Sequence, residues 1–169
     1  MNLNNARSDD VASYARILRT AGFRVTAQRI ALFEVLRASP DHPSAEMLYQ
    51  RVRRHYPAIS RASVYNALQV LASLGLAGQF EGADGAARFD GDLASHVNMI
   101  CVQCGRIRDL PGIDVDRLLR RVARVSGFAV GRHLSVRGIC PQCRRKGQQQ
   151  REVVRHGTAG TGRRRAGRR

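Results

Sequence analysis

The chain has 169 residues, 43% of them hydrophobic, enough for one ordinary domain or two small ones, which excludes an obligately disordered polymer. Its 29 Lys and Arg, all but one of them Arg, face 13 Asp and Glu, so the formal charge of +16 makes a polyanion the first partner class to consider. There is no Trp, no apolar run approaches the roughly 18 residues of a membrane span, and the first ten residues are polar and end in two acids, so a cytoplasmic protein is expected, with no membrane partner.

Residues 10–75 read as four short helices with clear punctuation. Val11, Tyr14, Ala15 and Leu18 recur at helical spacing, and Gly22 supplies a stop. Thr26 is a natural N-cap for a second helix burying Ile30, Leu32, Phe33, Val35 and Leu36. Beyond Pro40 and Pro43, Ser44 caps a third helix with Ala45, Leu48, Tyr49 and Val52 inward, limited by Pro57. Ser60 caps a fourth that runs to Gly75, with Val64, Ala67, Leu68, Leu71 and Leu74 on one stripe and Ala62, Tyr65, Asn66 and Gln69 opposite. Leu76–Phe80 and Ala86–Asp90 alternate around EGADG, which predicts a β-hairpin. Helices followed by such a hairpin form the layout of a winged helix-turn-helix, whose last helix enters the DNA major groove.

From about residue 93 the pattern changes. Val97–Cys101 and Arg106–Leu110 read as strands, Asp114–Val125 as a helix with Val115, Leu118, Leu119 and Val122 inward, and Phe128–Arg137 as a further strand. About 50 residues make a poor core unaided, so this module needs a staple or a partner. The staple is Cys101-x-x-Cys104 with Cys140-x-x-Cys143: two matched knuckles suit a closed tetrahedral zinc site far better than a disulfide framework in a reducing compartment. The expected class is thus α+β: a winged helix-turn-helix over 1–91, a small α/β domain with a four-cysteine zinc site over 92–146, and a disordered basic tail over 147–169.

Charge is unevenly divided among these parts. Residues 1–90 hold 11 Arg and 8 acids, a net +3; residues 91–146 carry +7 and residues 147–169 carry +6.

Several ordered elements resemble the ferric uptake regulator family of metal-dependent bacterial transcription factors. They are Leu18-Arg19, Gly22-Phe23-Arg24-Val25-Thr26 and Gln28-Arg29, His42-Pro43-Ser44-Ala45-Glu46, Ile59-Ser60 with Ser63-Val64-Tyr65-Asn66, Leu74-Gly75-Leu76, Arg88-Phe89-Asp90, His96, the two knuckles, Gly127-Phe128 and Gly138. The resemblance spans roughly residues 12–146. It implies a repressor that binds a palindromic double-stranded DNA operator as a homodimer, with structural Zn(II) on Cys101, Cys104, Cys140 and Cys143 and a regulatory metal between the domains.

Carried over position by position, the peroxide-sensing branch of that family implies Fe(II) or Mn(II) on His42, Asp90, His96, Asn98 and Asp109. Asn98 stands where the branch has a histidine; its amide oxygen is a hard donor that suits Mn(II) or Fe(II) better than zinc. Asp109 favours peroxide sensing, since the iron sensors usually have Glu there. On the fourth helix, Ser60, Arg61, Tyr65 and Asn66 are expected near DNA, with Tyr65 and Asn66 suited to A·T edges and Arg61 and Ser60 to phosphates, and Arg24 and Arg19 are candidates for further backbone or minor-groove contacts. An iron- or manganese-responsive repressor without peroxide sensing is the nearest alternative, and a zinc-ribbon RNA-binding module a more distant one, weakened by the scarcity of aromatic platforms. An enzyme is not expected, because no phosphate-cradling Gly loop or nucleophile elbow is present.

Overall fold

The computed structural model describes residues 11–131 and 134–148. Four helices come first: α1 (Val11–Thr20), α2 (Ala27–Arg37), α3 (Ala45–Arg53) and α4 (Arg61–Ser73). Their boundaries follow from local chemistry. The side chains of Thr26, Ser44 and Ser60 accept from Arg29, Met47 and Ser63 backbone N–H groups, each satisfying a donor that the first helical turn leaves unpaired. At the other end, Gly22 and Gly75 adopt φ of 80° and 66°, letting Phe23 and Leu76 donate back to the Leu18 and Leu71 carbonyls at 2.8 Å.

These helices enclose the main core. Leu18, Leu32, Leu36, Leu48, Val52, Val64, Leu68 and Leu71 are fully buried, each contributing about 1.5–3 kcal/mol, and Tyr14 stacks on Phe33 with ring centroids 4.2 Å apart. A hairpin follows, β1 (Gly78–Glu81) antiparallel to β2 (Ala87–Asp90), and Phe89 seals the core from it. The hairpin is tied to the segment before α3, because Phe89 N donates to the Pro43 carbonyl at 3.0 Å and Arg88 bridges to Ser44. The last residues of β2 and the loop carrying His42 therefore have a fixed relation.

The second half is a three-stranded sheet of order β4-β3-β5. Its central strand β3 (Val97–Cys101) pairs antiparallel with β4 (Ile107–Leu110) and parallel with β5 (Leu134–Gly138), and α5 (Val115–Ser126) connects the two edges. Asp114 caps α5 by accepting from Arg117 N, and Gly127 at φ 73° ends it. Two expectations are corrected here. Only Val115 of the expected inward stripe is buried, whereas Leu118 and Val122 are exposed, because one copy of this sheet is too small to cover the helix. Strand β5 begins at Leu134, not Phe128, and Phe128 is 75% exposed; alternation over that stretch describes an uncovered surface.

Residues 141–148 form a helical segment, so the fold continues just past the expected domain boundary at 146. The rest of the expected basic tail, 149–169, lies outside the described residues.

Between the halves, Gly91 sits hard against the end of α2: a Cβ there would lie 2.8 Å from the Leu36 carbonyl oxygen and 2.9 Å from Arg37 Cα. Both obstacles are backbone and cannot swing aside. Gly91→Ala is expected to destabilise the fold by about 1–3 kcal/mol, read as a lower urea midpoint; an unchanged midpoint would show that the α2 end yields freely.

Candidate metal centre and nucleic-acid face

His42 lies in the loop between α2 and α3 with φ 48°, a left-handed conformation that side chains pay about 1–2 kcal/mol to adopt. Its loop is braced from α3. Arg51 holds both Asp41 carboxylate oxygens, at 2.9 and 2.5 Å, and the Ser39 hydroxyl at 2.7 Å, and that grip keeps the Asp41 carboxyl below its usual range. The imidazole is thereby pushed inward, edge-on to Phe80 at 5.5 Å, and is 2% exposed.

There it meets groups from three other places. Its Nε2 lies 2.9 Å from Asp109 Oδ1 on β4 and 3.6 Å from Asp90 Oδ2 at the end of β2, while His96 Nε2, just before β3, lies 2.9 Å from Asp90 Oδ2 and 3.7 Å from Asp109 Oδ1. The ligand atoms of His42, Asp90 and His96 fall within 4.8 Å of one another, and all three residues are buried. Backbone contacts set the orientation. Asp92 N donates to Asp90 Oδ1 at 2.8 Å, and His96 Nδ1 lies 2.8 Å from the Ala94 carbonyl.

That last contact decides the chemistry. A carbonyl only accepts, so His96 Nδ1 carries a proton, and in the neutral ring Nε2 then presents a lone pair to the Asp90 carboxylate. A lone pair facing a carboxylate at 2.9 Å is repulsive unless a cation intervenes or the ring is protonated. Burial by itself lowers the His42 and His96 pKa values, but the Asp90 and Asp109 carboxylates outweigh it and hold both above the ordinary value of 6.5. Burial likewise raises Asp90, yet its imidazole and backbone partners bring it below the usual carboxylate value.

Asn98 completes the setting. It is fully buried, and neither its amide oxygen nor its amide nitrogen has a partner. On β3 it stands directly opposite Asp109 of β4 and, two residues from His96, shares that residue's face of the strand. An orphaned amide costs about 1–3 kcal/mol, and a cation bound to its oxygen would offset the oxygen's share. The donor set, two imidazole nitrogens with carboxylate and amide oxygens, fits Mn(II) or Fe(II).

The four cysteines converge at one end of the sheet as free thiols. Cys104 Sγ and Cys140 Sγ are 3.9 Å apart, close to the roughly 3.8 Å edge of a tetrahedron with 2.3 Å zinc–sulfur bonds. Backbone N–H groups of Cys140 and Cys104 lower the Cys101 thiol to about 6, and that of Cys143 lowers Cys140, whereas the Cys143 thiol, its proton shared by hydrogen bonding with the Cys140 and Cys104 sulfurs, is pushed up to about 12. Sulfurs that crowd together so that one must keep its proton form a site a divalent cation can relieve.

The remaining expected residues lie on the helical half. Tyr65 and Asn66 are exposed on α4, and Arg19 and Arg24 are exposed at and beyond the end of α1. A groove of about 470 Å³, lined by Phe23, Arg24, Gln28, Arg29, Ser63 and Asn66 among others, runs between α4 and the α1–α2 turn. Ser60 is spent as the α4 cap, with its hydroxyl also 2.9 Å from that of Ser63. Arg61 is engaged too: it binds Glu46 on α3 at 2.9 and 3.1 Å and lies over the Tyr49 ring. Sequence reading missed Glu46, Arg51 and the Ala94 carbonyl. Glu46 and Gln50 show the helical i,i+4 spacing, but nothing local announces the partnership with Arg61, 15 residues away, or an acceptor that is main chain.

Comparison with known proteins gives a consistent picture. The profile of the Ferric uptake regulator family matches residues 20–136. The "Peroxide-responsive repressor PerR" of Staphylococcus epidermidis is 34% identical over 77% of this chain and 87% of its own. Among solved structures, the ferric uptake regulator of Pseudomonas aeruginosa with manganese superposes with TM-score 0.60 at 27% identity, covering 73% of this chain and 95% of that one. The Helicobacter pylori ferric uptake regulator superposes with TM-score 0.64 at 20% identity over 79% of this chain and 91% of its own, a likeness of fold.

Two outcomes follow from the geometry. In protein free of divalent metal at the histidine cluster, the raised imidazole values make ion pairing with Asp90 and Asp109 a stabiliser fully present below about pH 6.5, where folded and unfolded rings are both protonated, and lost as pH rises through the raised folded values. The urea midpoint of such protein is expected to fall above pH 6.5 and to do so less steeply in Asp109→Asn; a midpoint flat in both contradicts the assignment. Cys104→Ser should release zinc, measured by a colorimetric chelator, and unfold the C-terminal half; a folded, zinc-free variant would disprove a structural role for the quartet.

Proposed function

The chain belongs to the Ferric uptake regulator family, and from that premise we propose that it is a metal-dependent transcriptional repressor that binds a palindromic operator as a homodimer and senses peroxide. One observation carries this reading: a buried cluster assembled from both halves of the chain, with the Nε2 atoms of both imidazoles facing carboxylate oxygens, so that a cation there ties the DNA-binding half to the sheet. His42, Asp90, His96, Asn98 and Asp109 would hold Fe(II) or Mn(II), and Cys101, Cys104, Cys140 and Cys143 would hold structural Zn(II). Bound Fe(II) would supply reduction of hydrogen peroxide beside the ligand imidazoles, whereas Mn(II) would fill the same ligands without that reaction.

The residues account for the rest. His42 belongs to the helical half and Asp109 to the sheet, so loss of the imidazole lone pair through oxidation of the ring removes a tether between halves. Tyr65 and Asn66 on the exposed face of α4 suit the major groove, and Arg24 and Arg19 flank them for backbone contacts. Arg61 would leave Glu46 for a phosphate only at the expense of that pair, an exchange among exposed charges that costs little. The exposed stripe of Leu118, Val122 and Val125 on α5, with Phe128, supports dimerisation through the second half. No helix among the described residues is long and apolar enough to cross a membrane, in keeping with a cytoplasmic site of action.

Peroxide added to operator complexes loaded with Fe(II) or with Mn(II) tests the proposal. Fe(II)-loaded protein is expected to release DNA and gain one oxygen in the peptide carrying His42 or His96, while Mn(II)-loaded protein stays bound and unmodified. Equal release from both forms, or no oxygen on either peptide, overturns peroxide sensing and leaves an iron- or manganese-responsive repressor.

A further inference from the structure

A contact outside both clusters also joins the halves. Arg137 on β5 reaches across to the hairpin, where its Nη2 lies 3.1 Å from the Glu81 carbonyl oxygen, 2.9 Å from Glu81 Oε1 and 3.2 Å from the Gly82 carbonyl oxygen. These oxygens sit where β1 turns, at the start of the loop that would form the tip of the wing. Arg137 is anchored from the other side by β5, in register with Ile100 of the central strand and next to the Cys101 and Gly138 pair.

An exposed Arg–Glu pair alone contributes little. Here two of the three acceptors are main-chain carbonyls already held by the hairpin, since Glu81 pairs with Ala87 and Gly82 N donates to the Ala86 carbonyl at 2.9 Å. Binding them requires ordering of the arginine only; the two N–H groups of Nη2 are shared among the three oxygens, and their positive charge strengthens the contact. The contact also neutralises a carboxylate on the wing that would otherwise repel a DNA phosphate.

We infer that Arg137 is a positioning residue, a second clasp that holds the wing against the C-terminal sheet and thereby strengthens metal binding at the His42–Asp109 junction. Both contacts bridge the same two parts of the chain, so whatever favours their closed relation raises the affinity of the junction for its metal in proportion to the closed fraction. The metal half of this inference rests on the function proposed above; the clasp itself does not.

The test uses the full chain with zinc on its cysteines, comparing wild type, Arg137→Ala and Arg137→Lys by hydrogen exchange without added metal and by Mn(II) titration followed through the EPR signal of the free ion. In Arg137→Ala, exchange is expected to quicken across the hairpin residues 78–90 while the α1–α2 core keeps its protection, and Mn(II) to bind about fivefold more weakly or worse, with Arg137→Lys recovering part of both. Unchanged exchange at the hairpin, or faster exchange throughout the core, overturns the clasp. Faster hairpin exchange with wild-type Mn(II) affinity overturns its link to the junction. If wild-type protein takes up no Mn(II), the junction reading fails, and exchange at the hairpin alone decides the clasp.

Discussion

Two imidazoles and two carboxylates from four separate segments converge on one point, with His42, Asp90 and His96 buried and Asp109 at its exposed edge. While the rings are neutral, the His96 Nε2 lone pair faces the Asp90 carboxylate. The Ala94 carbonyl takes the proton of His96 Nδ1, Asp92 N takes one oxygen of Asp90, and Asn98 is left with nothing. What remains is a ring of donors wanting a positive charge. Much of the surrounding architecture acts to keep that ring assembled: Arg51 braces the His42 loop, Phe89 locks β2 to Pro43, and Gly91 lets the chain pass beside α2 with no side chain to hold it off. The conformational cost of His42 is borne by this scaffold, as strain at functional positions usually is.

The two halves divide their tasks by composition. Residues 1–90 bury a conventional helical core and carry only +3, so little bulk charge surrounds the exposed face of α4. Among the described residues, the large apolar ones left exposed fall, Tyr65 apart, between Val102 and Ile139. A module that exposes so much apolar surface around a three-stranded sheet has little core of its own.

How much of this could be read from sequence depended on range. Caps and stops were legible because Thr26, Ser44, Ser60, Gly22 and Gly75 act on backbone groups within five residues, and the stripe of α4 was legible because its core is large enough to bury it. The α5 stripe was misread for the opposite reason: periodicity marks an apolar face but not whether the same chain covers it. The cysteine quartet needed only spacing. The junction residues came from family resemblance, and their physics became visible only with the structure, since the decisive proton on His96 is placed by a main-chain carbonyl that no residue type reveals. The engagement of Arg61 with Glu46 was invisible likewise, being a meeting of separate helices.

The parallel pairing of β3 with β5 bears on how the chain is made. Strand β3 receives its first partner, β4, almost at once, but its other edge stays open until residues 134–138 have been added, and Cys140 and Cys143 come later still. Closing a parallel pair across so long a connection is intrinsically slow, and an open strand edge invites wrong pairing meanwhile. A nascent chain on the ribosome can therefore complete its helical half well before the second half has its register. The four sulfurs thus cannot gather until the whole sheet has been made, and the end of the sheet they share is the last part of the fold to take shape.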